Sequence, residues 1–241
     1  KILSLFYGLV CYLAFFGTFL YAIGFVGNLF VPKSIDGPAE VPLFTALLVN
    51  ASLLLLFALQ HSIMARPAFK SWWTRIVPSH LERSTYVVLA SACLLLMMWQ
   101  WQPVGGLVWS VENEVIKNLL LVSFLGGWLI VLISTFLINH FDLFGLRQVW
   151  LYFLGKPYTQ LPFRVPVFYG FVRHPLYLGF LIAFWSTPVM TVAHFLFALL
   201  TTGYILTAIQ LEERDLQNHF GEKYAAYKKR VPMIIPSRRK K

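Results

Sequence analysis

The sequence has few charged residues and few cysteines, and both facts limit the class of protein to which it can belong. Of its 241 residues only 12% are charged and 58% are apolar, and the mean hydropathy is +0.67. A soluble globular domain has about a quarter of its residues charged, so this chain lacks the polar shell that such a domain needs. The same composition excludes a disordered chain, a secreted disulfide scaffold and a long coiled coil. The folded protein must therefore lie partly in lipid.

Lysine, arginine, aspartate and glutamate are missing from five long stretches. These stretches are 2–32, 41–65, 84–111, 118–141 and 174–211. Each is longer than the roughly 20 residues that a helix needs to cross about 30 Å of hydrocarbon. The last stretch is the longest and contains Pro188, which predicts a helical hairpin with a short first arm. We therefore predict an all-α polytopic membrane bundle of four single spans, a C-terminal helical hairpin and an amphipathic C-terminal segment.

The basic residues between these stretches predict which side each connection faces. The connections 66–83 and 140–173 each hold four basic residues, whereas 33–40 and 112–117 each combine one lysine with two acidic residues. The positive-inside rule then places both basic connections, both termini and the tail 212–241 in the cytoplasm. Residues 238–241 follow an amphipathic stretch, so we expect them to meet anionic lipid headgroups rather than nucleic acid.

No internal repeat or low-complexity linker divides the chain, which predicts one membrane domain over residues 1–241. Its predicted parts are four transmembrane helices, a cytoplasmic connector, the hairpin and a cytoplasmic tail. In that order they comprise residues 1–139, 140–173, 174–211 and 212–241.

Patterns typical of metal or nucleotide sites are lacking. Cys11 and Cys93 lie in apolar runs, which predicts two buried thiols with neither a disulfide nor a metal role. The six histidines show no HxxxH spacing, and no GxGxxG sequence follows a strand. We therefore predict no metal site and no soluble nucleotide-binding fold.

Polar residues gather in three segments that the predicted topology brings to the cytoplasmic face. The segments are 139–148, 173–179 and 212–215, and the polar tail follows the last of them. Ionisable groups at a membrane boundary often serve as anchors. Three converging clusters favour a binding site instead.

The second and third segments suit a zwitterionic ligand. Arg173 offers a fork for a carboxylate, and His174 offers a second donor. Glu212 or Glu213 can accept hydrogen bonds from an ammonium group or a ribose diol. Gly179 permits close approach of backbone or ligand. Three tyrosines can place an aromatic face beside a cation such as a sulfonium: Tyr177, Tyr224 and Tyr227.

The same residues resemble the signatures of the isoprenylcysteine carboxyl methyltransferase superfamily. RHPLYLG at 173–179, the pair Glu212-Glu213 and FGEKYAAYKKRVPMIIP at 220–236 follow the patterns RHPxYxG, EE and FGxxYxxYxxxVxxxIP in order. The resemblance implies S-adenosyl-L-methionine as methyl donor, held between the hairpin and a tail that covers it. With Tyr224 included, the predicted cofactor-binding residues are Arg173, His174, Tyr177, Gly179, Glu212, Glu213 and Tyr224.

The N-terminal half indicates a branch of that superfamily. QHSIMAR at 60–66 and NHFDLFGLRQ at 139–148 are similar to the bacterial methanethiol S-methyltransferase branch, which shares this half with the NnrU-like membrane proteins. The resemblance implies a bacterial inner-membrane enzyme that methylates methanethiol to dimethyl sulfide, and also hydrogen sulfide in some relatives. The expected partners are a small thiol and membrane lipid, with no nucleic acid and no obligate protein partner.

The first polar segment offers groups that could remove the thiol proton. An alkyl thiol has a pKa above about 8.5, so a base that removes its proton assists its attack on a sulfonium methyl. We predict His140 as this base, oriented by Asp142 or a backbone carbonyl, with Arg147 or Gln148 positioning it. The predicted catalytic residues are His140, Asp142 and Arg147. Gln148 is assigned to the substrate, and so is His61, for which a helix-to-helix hydrogen bond is the alternative.

Three other functions remain open from the sequence. A methyltransferase of this superfamily can also act on a prenylcysteine carboxylate or a lipid amine. The tail pattern further resembles the membrane sterol reductases, which would imply NADPH. A non-catalytic NnrU-like or transport protein is the third alternative, and it predicts polar residues spread through the spans rather than gathered at one face.

Overall fold

The structure, a computed structural model, describes residues 1–236, and helices dominate it. The predicted lipid-facing residues 238–241 lie outside this range. In chain order the helices are α1 (Ile2–Gly27), α2 (Leu43–Ala65), α3 (Pro67–Trp73), α4 (Ser79–Gln100), α5 (Glu114–Ile138), α6 (His140–Leu143), α7 (Leu146–Phe153), α8 (Pro175–Trp185), α9 (Val192–Phe220) and α10 (Glu222–Arg230). A 3-10 turn covers Val167–Gly170, and strands β1 (Leu107–Ser110) and β2 (Val189–Thr191) pair with each other.

Five helices are long and apolar enough to cross a membrane: α1, α2, α4, α5 and α9. They confirm the predicted all-α polytopic class. The hairpin is present as α8, a turn containing β2, and α9. Helix α8 has 11 residues and at 1.5 Å per residue is about 16 Å long, roughly half the hydrocarbon thickness. Helix α9 continues to Phe220, beyond residue 211, where the charge-free stretch ends.

The chain forms two compact units. Unit 1 comprises Lys1–Gly106, Asn139–Gln160 and Thr191–His194. Unit 2 comprises Leu107–Ile138, Leu161–Met190 and the chain from Phe195 onward. The third polar segment therefore shares a unit with the second, whereas the first polar segment belongs to the other.

In unit 1, α4 packs against α1 and α2, and α7 packs against α1 and α4. Gly145 stands at the start of α7 with a φ of +87°, a conformation that side chains disfavour. A Cβ there would also lie 2.6 Å from the backbone nitrogen of Ser84. The glycine therefore lets the segment around the first polar cluster lie directly on the start of α4.

In unit 2, α5 runs along α8. Their backbones meet at two glycines, because a Cβ on Gly127 would lie 2.7 Å from the carbonyl oxygen of Gly179, and one on Gly179 would lie 2.7 Å from that of Gly127. Small residues allow such close helix packing in lipid, where dispersion contacts replace the hydrophobic effect. The contact fixes the first arm of the hairpin against α5.

Candidate functional site

The second and third polar segments meet in unit 2 around the carboxylate of Glu213. Arg173 donates from Nε to Glu213 Oε1 at 2.7 Å, and its Nη2 lies 2.6 Å from the same oxygen. Lys228 of α10 places its Nζ 2.6 Å from Glu213 Oε2. His174 Nε2 lies 3.1 Å from Glu213 Oε1. Because Glu213 is only 4% exposed, these partners replace the water that its carboxylate loses on burial.

Arg173 also holds the end of α10. Its Nη1 donates to the carbonyl oxygen of Val231 at 2.6 Å and to that of Lys228 at 3.2 Å. A helix leaves its last carbonyls without backbone partners, so a guanidinium is a suitable cap. The fork predicted to bind a ligand carboxylate is thus engaged by Glu213 and by the tail.

Backbone hydrogen bonds reinforce this attachment of the tail. The amides of Arg173 and His174 donate to the carbonyl oxygens of Pro232 and Met233 at 2.8 and 3.1 Å. Tyr227 donates its hydroxyl to the carbonyl oxygen of Tyr169 at 2.7 Å, and burial raises the pKa of Tyr227 to about 12. The tail therefore packs across the segment that precedes α8.

Tyr224 is the unusual member of this cluster. It is 1% exposed, and its hydroxyl has no hydrogen-bond partner within residues 1–236. Burial raises its pKa, and the negative charge of Glu213 raises it further. A buried hydroxyl without a partner costs free energy, so this one is suited to a ligand.

The other residues assigned to the cofactor have different surroundings. The Glu212 side chain is 42% exposed, and its Oε2 lies 3.9 Å from His174 Nδ1, so it remains accessible to a ligand. The Tyr177 ring lies 5.7 Å from the His174 ring. Gly179 lies one turn into α8 and faces the backbone of α5, so the close approach that it permits is between helices.

In unit 1, His140 opens α6 and is 3% exposed. Its Nε2 lies 2.8 Å from the hydroxyl of Tyr12 on α1. Phe15 and Phe144 stack on each other at 3.7 Å, and both rings border the imidazole. Burial lowers the pKa of His140. Burial therefore favours the neutral imidazole, which is the form that can accept a proton.

Asp142 and Arg147 pair with each other. Arg147 Nη1 donates to Asp142 Oδ1 at 2.8 Å and to the carbonyl oxygen of Thr159 at 2.9 Å. Tyr158 donates to Asp142 Oδ2 at 3.3 Å. Gln148 donates to the backbone carbonyl of Asp142 at 3.1 Å. This set holds the connector around residue 159 against the start of α7.

His61, the remaining predicted substrate residue, lies near the end of α2. The hydroxyl of Tyr86 on α4 is 2.9 Å from its Nδ1, and its ring stacks on Phe57 at 5.2 Å. This is the helix-to-helix contact that the sequence offered as an alternative. Met64, on the next turn of α2, joins Tyr86 in a cluster that also includes Phe15 and Phe144, so His61 and His140 border one aromatic region of unit 1.

The contacts that were not predicted from the sequence include those of Tyr12, Tyr86 and Lys228. Tyr12 and Tyr86 lie inside charge-free stretches, where a tyrosine has the pattern of any apolar residue. Lys228 is one of several tail lysines, and only the fold distinguishes it from the others. No local signal marks these contacts, since Tyr12 and His140 are 128 positions apart.

Comparison with known proteins decides the family. The chain is 57% identical to the methanethiol S-methyltransferase of Crocosphaera subtropica over 96% of its own length and 91% of the relative's. It is 51% identical to the methanethiol S-methyltransferase of Mycobacterium tuberculosis over 98% of its own length and 97% of the relative's.

The chain belongs to the methanethiol S-methyltransferase family. More distantly, this methyltransferase chain is 32% identical to the Nurim protein of Sus scrofa, over 70% of its own length and 67% of the relative's. No family profile and no solved structure matches it. The resemblance inferred from its motifs is confirmed.

Proposed function

We propose that the protein is a membrane-embedded enzyme that uses S-adenosyl-L-methionine to methylate methanethiol to dimethyl sulfide. The observation that carries the proposal is the convergence of the three motif segments on Glu213 in unit 2. Family membership supports both methyl transfer and methanethiol as its acceptor, because the relatives that are 57% and 51% identical are methanethiol S-methyltransferases. Hydrogen sulfide is a second proposed acceptor, since it offers the same kind of ionisable S–H group.

The unit 2 residues fit the proposed donor. The ammonium group and ribose diol of S-adenosyl-L-methionine need an accessible hydrogen-bond acceptor. Glu212 is such a group. The carboxylate of S-adenosyl-L-methionine needs a hydrogen-bond donor, and the Tyr224 hydroxyl, which has no partner among residues 1–236, supplies one. The Tyr177 ring suits the sulfonium. When bound, the donor supplies an electrophilic methyl group.

The site is stabilised by the hydrogen bonds and the ion pair that join Arg173, His174 and Glu213. All three are engaged by protein groups in the structure. We therefore assign them the attachment of the tail and the burial of a balanced set of charges, while Glu212 and Tyr224 contact the donor. Gly179 serves the same site indirectly, by keeping α8 close to α5.

On the acceptor side, we assign the thiol proton to His140. Burial favours its neutral imidazole, the form that can take a proton. The Asp142–Arg147 pair and Gln148 keep the segment that carries His140 in place. His61 borders the same aromatic region and is assigned to acceptor selectivity.

The proposal predicts a simple assay result. Purified protein in detergent, given S-adenosyl-L-methionine and methanethiol, should release dimethyl sulfide into the headspace, detectable by gas chromatography. A prenylcysteine analogue or a phospholipid amine should accept no methyl group, and NADPH should not be oxidised in the presence of a sterol. Methylation of the lipid-linked acceptors without any dimethyl sulfide would contradict the acceptor assignment.

A further inference from the structure

An apolar groove opens on unit 1 beside the ends of α1 and α4. Its volume is about 560 Å³, within the roughly 300–1,000 Å³ that ligand pockets usually have. Its lining includes Tyr21, Lys33, Ala92, Leu95, Leu96 and Trp99, and the proposed methyl transfer uses none of them. We propose that this groove binds one phospholipid, with an acyl chain along α4 and the phosphate at the ammonium group of Lys33.

The two helices end at the same face of the membrane. Near their starts the hydroxyl of Tyr7 on α1 lies 3.0 Å from Thr85 Oγ1 on α4. Near their ends Tyr21 of α1 and Trp99 of α4 line the groove, so the helices run in the same direction. Both are long and apolar enough to cross a membrane. The groove therefore lies at the end of the spans, where hydrocarbon meets the lipid headgroups.

The length and openness of the groove suit an acyl chain. From Ala92 to Trp99 it follows about two turns of α4, or about 10 Å at 1.5 Å per residue. One leaflet provides about 15 Å of hydrocarbon, half of the bilayer core. Leu95 is 43% exposed and Trp99 is 69% exposed, so this wall faces lipid in the membrane. A long, flexible and apolar ligand fits such a groove better than a compact polar one does.

Lys33 supplies a positive charge at the mouth of the groove. Its Nζ donates to the carbonyl oxygen of Trp99 at 2.7 Å, and this carbonyl lies in the last turn of α4, where helical partners are lacking. The bond uses one of the three donors of an ammonium group. The other donors can bind a phosphate oxygen, with the added strength of opposite charges. A phospholipid combines the anionic group and the apolar chain that the groove complements.

The connection that carries Lys33 is fixed to both helices. Tyr21 of α1 donates its hydroxyl to the carbonyl oxygen of Lys33 at 3.1 Å. Trp101, directly after α4, donates its Nε1 to the carbonyl oxygen of Ile35 at 3.1 Å. Trp101 and Ile35 are both buried. Lys33 is therefore held at the groove before a lipid arrives, which lowers the entropic cost of binding.

Two pairs of variants test the two parts of the groove. Lys33→Gln removes the charge, and Lys117→Gln is its control, because the ammonium group of Lys117 already lies 2.8 Å from Glu114. Ala92→Phe fills the groove, and Ala51→Phe is its control, because Ala51 is an exposed residue of α2. All four replaced side chains are exposed or partly exposed, so the variants should fold.

Native mass spectrometry of delipidated protein in detergent measures the binding. Wild type should retain one molecule of phosphatidylglycerol, and it should bind diacylglycerol with the same acyl chains about 5-fold more weakly, because one lysine at a membrane surface attracts an anionic lipid by about that factor. Lys33→Gln should bind phosphatidylglycerol as weakly as wild type binds diacylglycerol. Ala92→Phe should weaken the binding of both lipids, and both control variants should match wild type.

Three outcomes would overturn the inference. Equal retention of phosphatidylglycerol by Lys33→Gln and Lys117→Gln would mean that Lys33 does not bind the phosphate. Equal retention by Ala92→Phe and Ala51→Phe would mean that the lipid binds elsewhere. A protein dimer that retains no lipid and that Ala92→Phe dissociates would assign the groove to a second copy of the chain.

Discussion

Glu213 shows how much one buried carboxylate can depend on its neighbours. Its two oxygens meet side chains from two parts of unit 2: the consecutive residues Arg173 and His174 before α8, and Lys228 on α10. Each partner is worth little alone in water. Together they make a buried charge tolerable, and the loss of the carboxylate leaves two cations close together.

Glu213→Gln should therefore destabilise the protein. We expect a loss of about 3 kcal/mol, the cost of removing one partner from a buried ion pair, measured as thermal unfolding in detergent without cofactor. Glu222→Gln is the matched control, because Glu222 is an exposed residue in the first turn of α10. Equal unfolding temperatures for the two variants would mean that Glu213 does not hold the tail.

Tyr224 and Tyr227 allow a sharper test, because they are buried on the same helix and differ in their hydroxyls. Tyr224→Phe removes a hydroxyl without a described partner, so stability should stay level or rise, while donor binding weakens by about 1 kcal/mol. Tyr227→Phe removes the bond to the Tyr169 carbonyl, so stability should fall. Calorimetry with S-adenosyl-L-methionine and thermal unfolding give both readouts. Unchanged donor affinity in Tyr224→Phe would remove Tyr224 from the binding site.

The residues of the site differ in how far the sequence could predict them. The motif segments predicted that Arg173 and Glu213 belong to one site, because the hairpin returns to its starting side. The sequence could not predict that their charges satisfy each other, since this depends on Lys228 and on the carbonyl of Val231. In the same way, Asp142 is close to His140 in sequence, but its carboxylate pairs with Arg147.

At the scale of elements, the close contact between α5 and α8 holds the helix that directly follows Arg173 and His174. Charge spacing predicted both helices, because a span must exclude charge. The spacing could not predict that Gly127 and Gly179 face each other, since glycines occur in many membrane helices for several reasons. The short length of α8 was indicated by Pro188, and the structure shows an arm of 11 residues.

Gly179→Ala should separate the two helices. Its Cβ would lie 2.7 Å from a backbone oxygen, which a flexible side chain cannot relieve, so we expect a loss of about 1–3 kcal/mol, typical of overpacking. Gly126→Ala is the control on α5, since a Cβ there meets nothing within 4 Å and alanine favours the helix. The thermal unfolding temperature in detergent should therefore fall in Gly179→Ala and not in Gly126→Ala. A loss in Gly126→Ala as large as in Gly179→Ala would contradict the packing role.

At the scale of the whole molecule, the distribution of basic residues predicts that the tail faces the cytoplasm. In a variant without Cys11 and Cys93, a cysteine added after Lys241 should resist a membrane-impermeant maleimide in intact cells. A cysteine at the exposed position Glu40 is the control and should react. Equally fast labelling at both positions would overturn the proposed topology, whereas protection only at the C terminus would support it.

The attachment of the tail also sets an order on biosynthesis. Arg173 and the Val231 carbonyl that it caps are 58 positions apart. At about 5–20 residues per second, the ribosome needs roughly 3–12 s to add that length of chain. During this time the earlier helices can insert, but Arg173 lacks first Glu213 and then Lys228 and the carbonyls of the tail. A chain whose translation stalls in this interval would thus be a membrane-inserted protein in which the proposed methyl-donor site is still incomplete.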